Sequence, residues 1–202
     1  MSLNNIHNLL SNHIPDLALP YCTELWNSYN FNLRLTKKRI SKFGDYRFDV
    51  TKNGHYISIN CNLNPYNFLI TYIHEVAHCV NVVRNGRKIT PHGKEWKSIF
   101  RELMLPLLNL DVFPDDVLRP LANHMINPKA SSQSDQRLVI ALRKYDKDVS
   151  EKLLIDLNTG DSFKFNNRVF EKIKLRRSRV LCKDLQSGRN YLISAIAPIE
   201  EL

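Results

Sequence analysis

One segment of this chain is punctuated so firmly that it fixes its own structure. Asn64 can cap a helix, and Pro65 follows at the first helical position, where a missing N–H costs nothing. Apolar side chains then recur through Phe68, Leu69, Tyr72, Ile73, Val76, Ala77, Val80 and Val83. Asn85-Gly86 ends the run, with Gly86 as a left-handed cap and Arg84 near the negative end of the helix dipole. The 202 residues, 43% apolar and 24% charged, are enough to bury a core round such a helix without disulfides.

The elements on either side point to an α+β architecture. Leu3, Ile6, Leu9 and Leu10 form a helical stripe, and a second helix is expected over Asp16 to Tyr29. Phe31, Leu33 and Leu35 alternate with polar residues as in a strand. Tyr46 to Val50 and Tyr56 to Asn60 read as two more strands, joined through the hairpin signal Asn53-Gly54. A helix starting near Pro91–Gly93 carries Trp96, Ile99, Phe100 and Leu103 up to Pro106, and another covers Asp115 to Ile126. The domain expected over residues 1–126 is followed by a polar linker at 127–137 (NPKASSQSDQ and its neighbour). Residues 138–202 then read as a small antiparallel β module, ribbon- or barrel-like, with strands at Leu138–Leu142, Leu153–Leu157, Ser162–Phe165, Val169–Leu175, Arg179–Lys183 and Tyr191–Ile196.

Composition excludes several classes. No window supplies 18 uninterrupted apolar residues, so no membrane partner is expected, and Met1 to Asn12 lacks the basic region of a secretory signal. Cys22, Cys61, Cys79 and Cys182 are scattered, with no CxxC pair, which suits a reducing, cytoplasmic setting and argues against a cysteine-ligated zinc ribbon. The net charge is +9. It is concentrated at Arg34–Lys52 (seven basic, two acidic), Arg84–Arg101 (six basic, one acidic) and Lys164–Arg189 (nine basic, two acidic). Such density points to a polyanionic partner.

The chemistry lies inside the well-punctuated helix. His74-Glu75-Val76-Ala77-His78 is an HExxH sequence. Residues four apart on an α-helix share a face, roughly 6 Å apart along the axis, so two imidazoles can reach one metal ion. Glu75 is rotated by about 100° from His74 and points beside that ion, where a base acting on water belongs. Burying these three polar groups without partners would cost several kcal/mol, so a ligand is the economical explanation. Zinc needs a third protein ligand and an open position. His92, in Thr90-Pro91-His92-Gly93, is favoured, with Gly93 supplying a sharp turn; Glu95, one turn on, is the alternative. His7, His13, His55 and His124 lack such context and are expected in surface or loop roles. One Zn2+ per chain, with Glu75 as the base, gives a metallopeptidase.

These residues resemble the SprT/Spartan zincins, whose pattern is HExxH followed by His-Gly and an aromatic three residues on, here His92-Gly93-Lys94-Glu95-Trp96. Arg39 to Tyr46, Ile57 to Leu63 and the following helix are similar to the family's lead-in, and the resemblance spans about Pro20 to Leu110. It implies a zincin-like fold, zinc ligation by His74, His78 and His92, catalysis by Glu75, a protein substrate, and a protease of the kind that in eukaryotic relatives degrades proteins crosslinked to DNA, a DNA-repair role. Many members end in a zinc ribbon with paired cysteines, whereas this chain offers only Cys182 there. DNA contacts are expected from Lys37, Lys38 and Arg39 and from Lys172, Lys174, Arg176, Arg177 and Arg179. Alternation places Lys172, Lys174 and Arg176 on one strand face, near Phe163, Phe165 and Tyr191, which are core residues or base-stacking platforms. Two rivals stand beside the protease: a nucleic-acid-binding factor with a structural or vestigial zinc site, and a deformylase-like amidase.

Overall fold

Apolar stripes at helical spacing set the first half of the chain. The structure, a computed structural model, describes residues 3–39, 42–131, 134–147 and 152–202. Helix α1 (Leu3–Ser11) buries Ile6 and Leu10, one turn apart. The expected second helix begins as a 3₁₀ turn at Asp16–Ala18 and continues as α2 (Leu19–Tyr29), which buries Cys22, Leu25 and Trp26. Strands β1 (Asn32–Thr36), β2 (Gly44–Asp49) and β3 (Gly54–Asn60) form a sheet in the order β1-β3-β2. β1 runs parallel to β3, and β2 returns antiparallel as a hairpin. This leaves β2 as an edge strand.

Helix α3 (Pro65–Asn85) lies against that sheet. Its start is capped as the sequence requires: the Asn64 side chain accepts from Asn67 N–H at 2.9 Å. Its end is closed at Gly86: the Gly86 N–H donates to Val82 O at 2.9 Å, and a positive φ of 79° then turns the chain out of the helix. Helix α4 (Lys94–Met104) packs on α3 and buries Trp96, Ile99, Phe100 and Leu103. Pro106 falls in a 3₁₀ turn at Leu105–Leu107, and α5 spans Asp115–Ile126.

The segment Leu138–Leu142, expected as the first strand of the β module, is a helix instead: α6 (Gln136–Arg143). Asp135 caps it, and Leu138, Ala141 and Leu142 bury their helical stripe in the core of the first domain. That core therefore takes in residues past the expected linker that were expected in the β module. The second core draws instead on residues from Leu154 onward.

The remaining strands are β4 (Lys152–Leu153), β5 (Ser162–Phe165), β6 (Arg168–Arg176), β7 (Arg179–Asp184), β8 (Asn190–Ser194) and β9 (Pro198–Glu201). The expected strand at Leu153–Leu157 ends after one residue, because Leu154–Asp156 turn into a 3₁₀ helix. The sheet order is β4-β9-β5-β6-β7-β8. Leu154, Phe163, Phe170, Val180, Cys182, Ile193 and Ala195 fill its inner face. The architecture is α+β, with six α-helices and two sheets among the described residues. No helix among them is long and apolar enough to cross a membrane.

Candidate metal centre

Helix α3 places His74 and His78 one turn apart, and the third imidazole arrives from the loop before α4. The backbone of His92 has a φ of +59°, a left-handed conformation uncommon outside glycine. The sharp turn expected of Gly93 is thus made by His92 itself; Gly93 is extended and serves as the N-cap of α4. Backbone held in this region at a candidate ligand is strain of the kind found at functional sites.

The three Nε2 atoms form a triangle with edges of 3.3 Å (His74–His78), 3.0 Å (His78–His92) and 3.2 Å (His74–His92). Two nitrogens each about 2.0–2.1 Å from one tetrahedral ion lie roughly 3.3 Å apart. His74, His78 and His92 could therefore hold a single metal ion. Glu95, the alternative third ligand, is exposed in the first turn of α4 and lies outside this cluster. Burial pushes His78 down to about 3, with His92 adding to the effect. Burial first, and then the neighbouring imidazoles His78, His92 and His124, hold His74 well below its ordinary value. Burial also lowers His92. All three are neutral near pH 7, the form that ligates a metal.

Glu75 is 6% exposed and borders a cleft of about 500 Å³ that also includes Gly44, Tyr46, Thr71, Arg87 and Pro91. Burial pushes its carboxyl up to about 8, Asp45 adds to the rise, and Arg39 and Lys42 oppose it. No hydrogen bond or ion pair reaches it from the described residues. Its position is set by contact alone. A Cβ built on Gly44 would lie 2.3 Å from Glu75 Oε1 and 2.7 Å from both Glu75 Cγ and Thr71 Cγ2.

Four further residues shape the centre, and the local sequence pattern marks only one of them, Trp96. Tyr46 stacks on the His78 ring (centroids 6.1 Å apart, planes 11° apart), and its hydroxyl is 2.8 Å from His55 Nδ1. His55, expected in a surface or loop role, thus stands behind the cleft in β3. Trp96 is fully buried, with ring centroids 4.7, 5.2 and 4.6 Å from His74, His78 and His92. His124, also expected at the surface, is buried on α5 and its Nδ1 lies 3.2 Å from Asp135. Only the aromatic spacing after His92-Gly93 could have marked Trp96 in advance.

The cationic candidates divide. Lys37 and Lys38 are exposed just after β1. Arg39, expected to meet DNA, turns inward instead. Its guanidinium donates to Asn60 Oδ1, Ser58 Oγ and O, and Phe43 O, tying Arg39 and Phe43 to β3. Lys172 is likewise buried, and its Nζ donates to Leu154 O, Ile155 O and Leu157 O at 3.0, 3.2 and 2.6 Å. The expected single face of Lys172, Lys174 and Arg176 fails because a bulge between Lys172 and Lys174 reverses the alternation. Beyond the bulge, Lys174, Arg176 and Arg179 point outward with Lys183, and Arg177 (φ +51°) sits at the hairpin tip. None of these five forms an ion pair with a described residue. Phe163 and Phe170 face the opposite, inner side and are core; Phe165 and Tyr191 pack against them. They are not a stacking platform beside the cations.

No family model, no curated protein and no solved structure matches this chain.

Proposed function

We propose that the protein is a zinc-dependent metallopeptidase of the SprT/Spartan type, with a zincin-like fold around its metal site. The observation that carries this reading is the Nε2 triangle of His74, His78 and His92, 3.0–3.3 Å on each edge, with the carboxylate of Glu75 beside it on the same helix. Neutral imidazoles on three sides, with a cleft on the fourth, fit zinc with an open position. Bound there, zinc would supply Lewis acidity, which acidifies water and polarises a carbonyl.

The chain's own groups do the rest. Glu75 takes the proton from the attacking water and hands it to the leaving amine nitrogen, a contribution of about 10² to 10⁴ in rate. Burial raises its affinity for a proton, and a dication bound beside it would favour the ionised form that accepts one. His74, His78 and His92 stay neutral through burial and orient the ion, with Trp96 packed against all three rings. Asp45 and Tyr46 of the edge strand β2 line the cleft, which suits an extended peptide that adds main-chain hydrogen bonds to an open edge.

The second part of the reading is association with DNA, so that the substrate is a protein held on or crosslinked to DNA. Support comes from the outer face of β6 and β7. There Arg176 lies directly opposite Arg179, an arrangement that repels without a counter-anion, and Lys174, Lys183 and Arg177 extend it. Lys174 and Arg176, two residues apart on a strand, are roughly 6.6 Å from each other, a step suited to tracking phosphates.

The deciding experiment compares wild type with Glu75→Gln, after metal analysis, on a DNA-linked protein with and without DNA. Cleavage that requires Glu75 while zinc is retained supports the peptidase. Equal cellular function in both, with loss on neutralising the outer face, would favour a nucleic-acid-binding factor instead. Turnover confined to small formylated peptides would favour the amidase.

A further inference from the structure

A general base must point at one place, and side chains usually achieve this through hydrogen bonds. Glu75 has none from the described residues, although it is nearly buried. What confines it is the backbone of β2. At Gly44 the strand passes so close that the smallest side chain would occupy the position of the carboxylate: a Cβ there would stand 2.3 Å from Oε1 and 2.7 Å from Cγ. The third close atom, Thr71 Cγ2 at 2.7 Å, lies one turn earlier on α3, so the strand presses on the helix at this place and not merely on one flexible chain end. Gly44 does not have a positive φ, so conformational freedom does not explain a glycine there. The explanation left is space. Two residues along, on the same face of the strand, Tyr46 stacks on His78.

We infer that Gly44 is a positioning residue for Glu75: its missing side chain lets β2 form the wall that aims the carboxylate into the cleft. The inference rests on Glu75 being the base. It assigns no contact between Gly44 and substrate or metal; Gly44 acts only through Glu75.

The test is a double-mutant cycle on the zinc-loaded protein. Gly44→Ala should fold, hold one zinc and give the wild-type cobalt absorption spectrum, because the three imidazoles are untouched. Its kcat should fall roughly 10²-fold with little change in KM, the scale of a displaced catalytic group. In the Glu75→Gln background the same substitution should bring no further loss. A crystal structure of Gly44→Ala should show Glu75 in another rotamer.

Full activity in Gly44→Ala overturns the inference. So does a loss that multiplies onto Glu75→Gln, loss of zinc, or failure to fold in either background, since each would make Gly44 a determinant of the fold or the metal site. The two levels separate cleanly. A fully active Glu75→Gln removes the base and the role of Gly44 together, whereas a multiplicative loss removes only the role of Gly44.

Discussion

Helix α3 and strand β6 both bury groups that belong at a surface, and they do so in opposite ways. On β6 the Lys172 ammonium is surrounded by three carbonyl oxygens, from Leu154, Ile155 and Leu157, and each of its N–H bonds has an acceptor. Nothing is left over for a partner; Lys172 fastens the β module internally. On α3, His74 and His78 aim their ring nitrogens at a point they share with His92, and Glu75 beside them has no donor among the described residues. A buried polar group whose partners are complete is architecture, and one whose partners are missing is an invitation to a ligand. The same contrast recurs within β6: on one side of its bulge the cation is satisfied, and on the other Lys174 and Arg176 form no ion pair with a described residue.

The largest effect should come from the unsatisfied side. Glu75→Gln keeps the shape of the site and removes the base, so peptide cleavage should fall by about 10² to 10⁴ while zinc content stays at one per chain. Wild-type turnover in that variant would dissolve the contrast, since Glu75 would then be an ordinary buried carboxyl.

Neutralising Lys174, Arg176, Arg179 and Lys183 together comes next. Duplex DNA affinity should drop, and the slope of log K against log salt should shrink by roughly 3 to 4, about 0.9 for each phosphate contact removed. Melting temperature should hold or rise, because Arg176 and Arg179 repel across the strand pair. An unchanged salt slope would mean that these cations are simply solvated.

Lys172→Met tests the other half of the comparison. It should destabilise the β module by about 1–3 kcal/mol in urea titration, by leaving three carbonyls without a donor, and leave the salt slope of DNA binding unaltered. If the salt slope fell instead, Lys172 would be a phosphate contact after all.

Acid should produce the most graded response. In chain stripped of metal, His78 titrates at about 3 in the fold against an ordinary 6.5, so the unfolded chain takes up the proton first. The stability it contributes is complete above pH 6.5 and is lost as pH falls toward 3; His74 and His92, both lowered, act in the same direction. Glu75, raised to about 8, runs the other way and loses its contribution as pH rises from 4.5 through 8. Melting temperature should therefore fall on acidification below pH 6.5, and this dependence should flatten in His78→Ala.

Local chemistry was the legible part of the sequence. The Asn64 cap, the Gly86 stop and the HExxH spacing each depend on residues within one or two helical turns, and each appears in the structure where the pattern put it. Most strands of the β module were also readable, because alternation survives wherever one face is buried. What failed depended on neighbours distant in sequence or on a single backbone torsion. Val139 and Ile140 gave Leu138–Leu142 the look of a strand, yet the stripe Leu138, Ala141 and Leu142 had a core to meet, and packing outweighed propensity. The bulge that turns Lys174 and Arg176 outward leaves no mark in residue order. Nor does the approach of β2 to α3 at Gly44, which joins positions 44 and 75 through space alone.

The account stands on His74, His78 and His92 sharing one ion, and metal analysis tests this most directly. Protein expressed with zinc present and purified without chelator should carry one zinc per chain, and His92→Ala should carry far less while keeping its helices. Wild-type protein free of zinc after loading, or a His92→Ala variant that holds it as tightly, would contradict the claim.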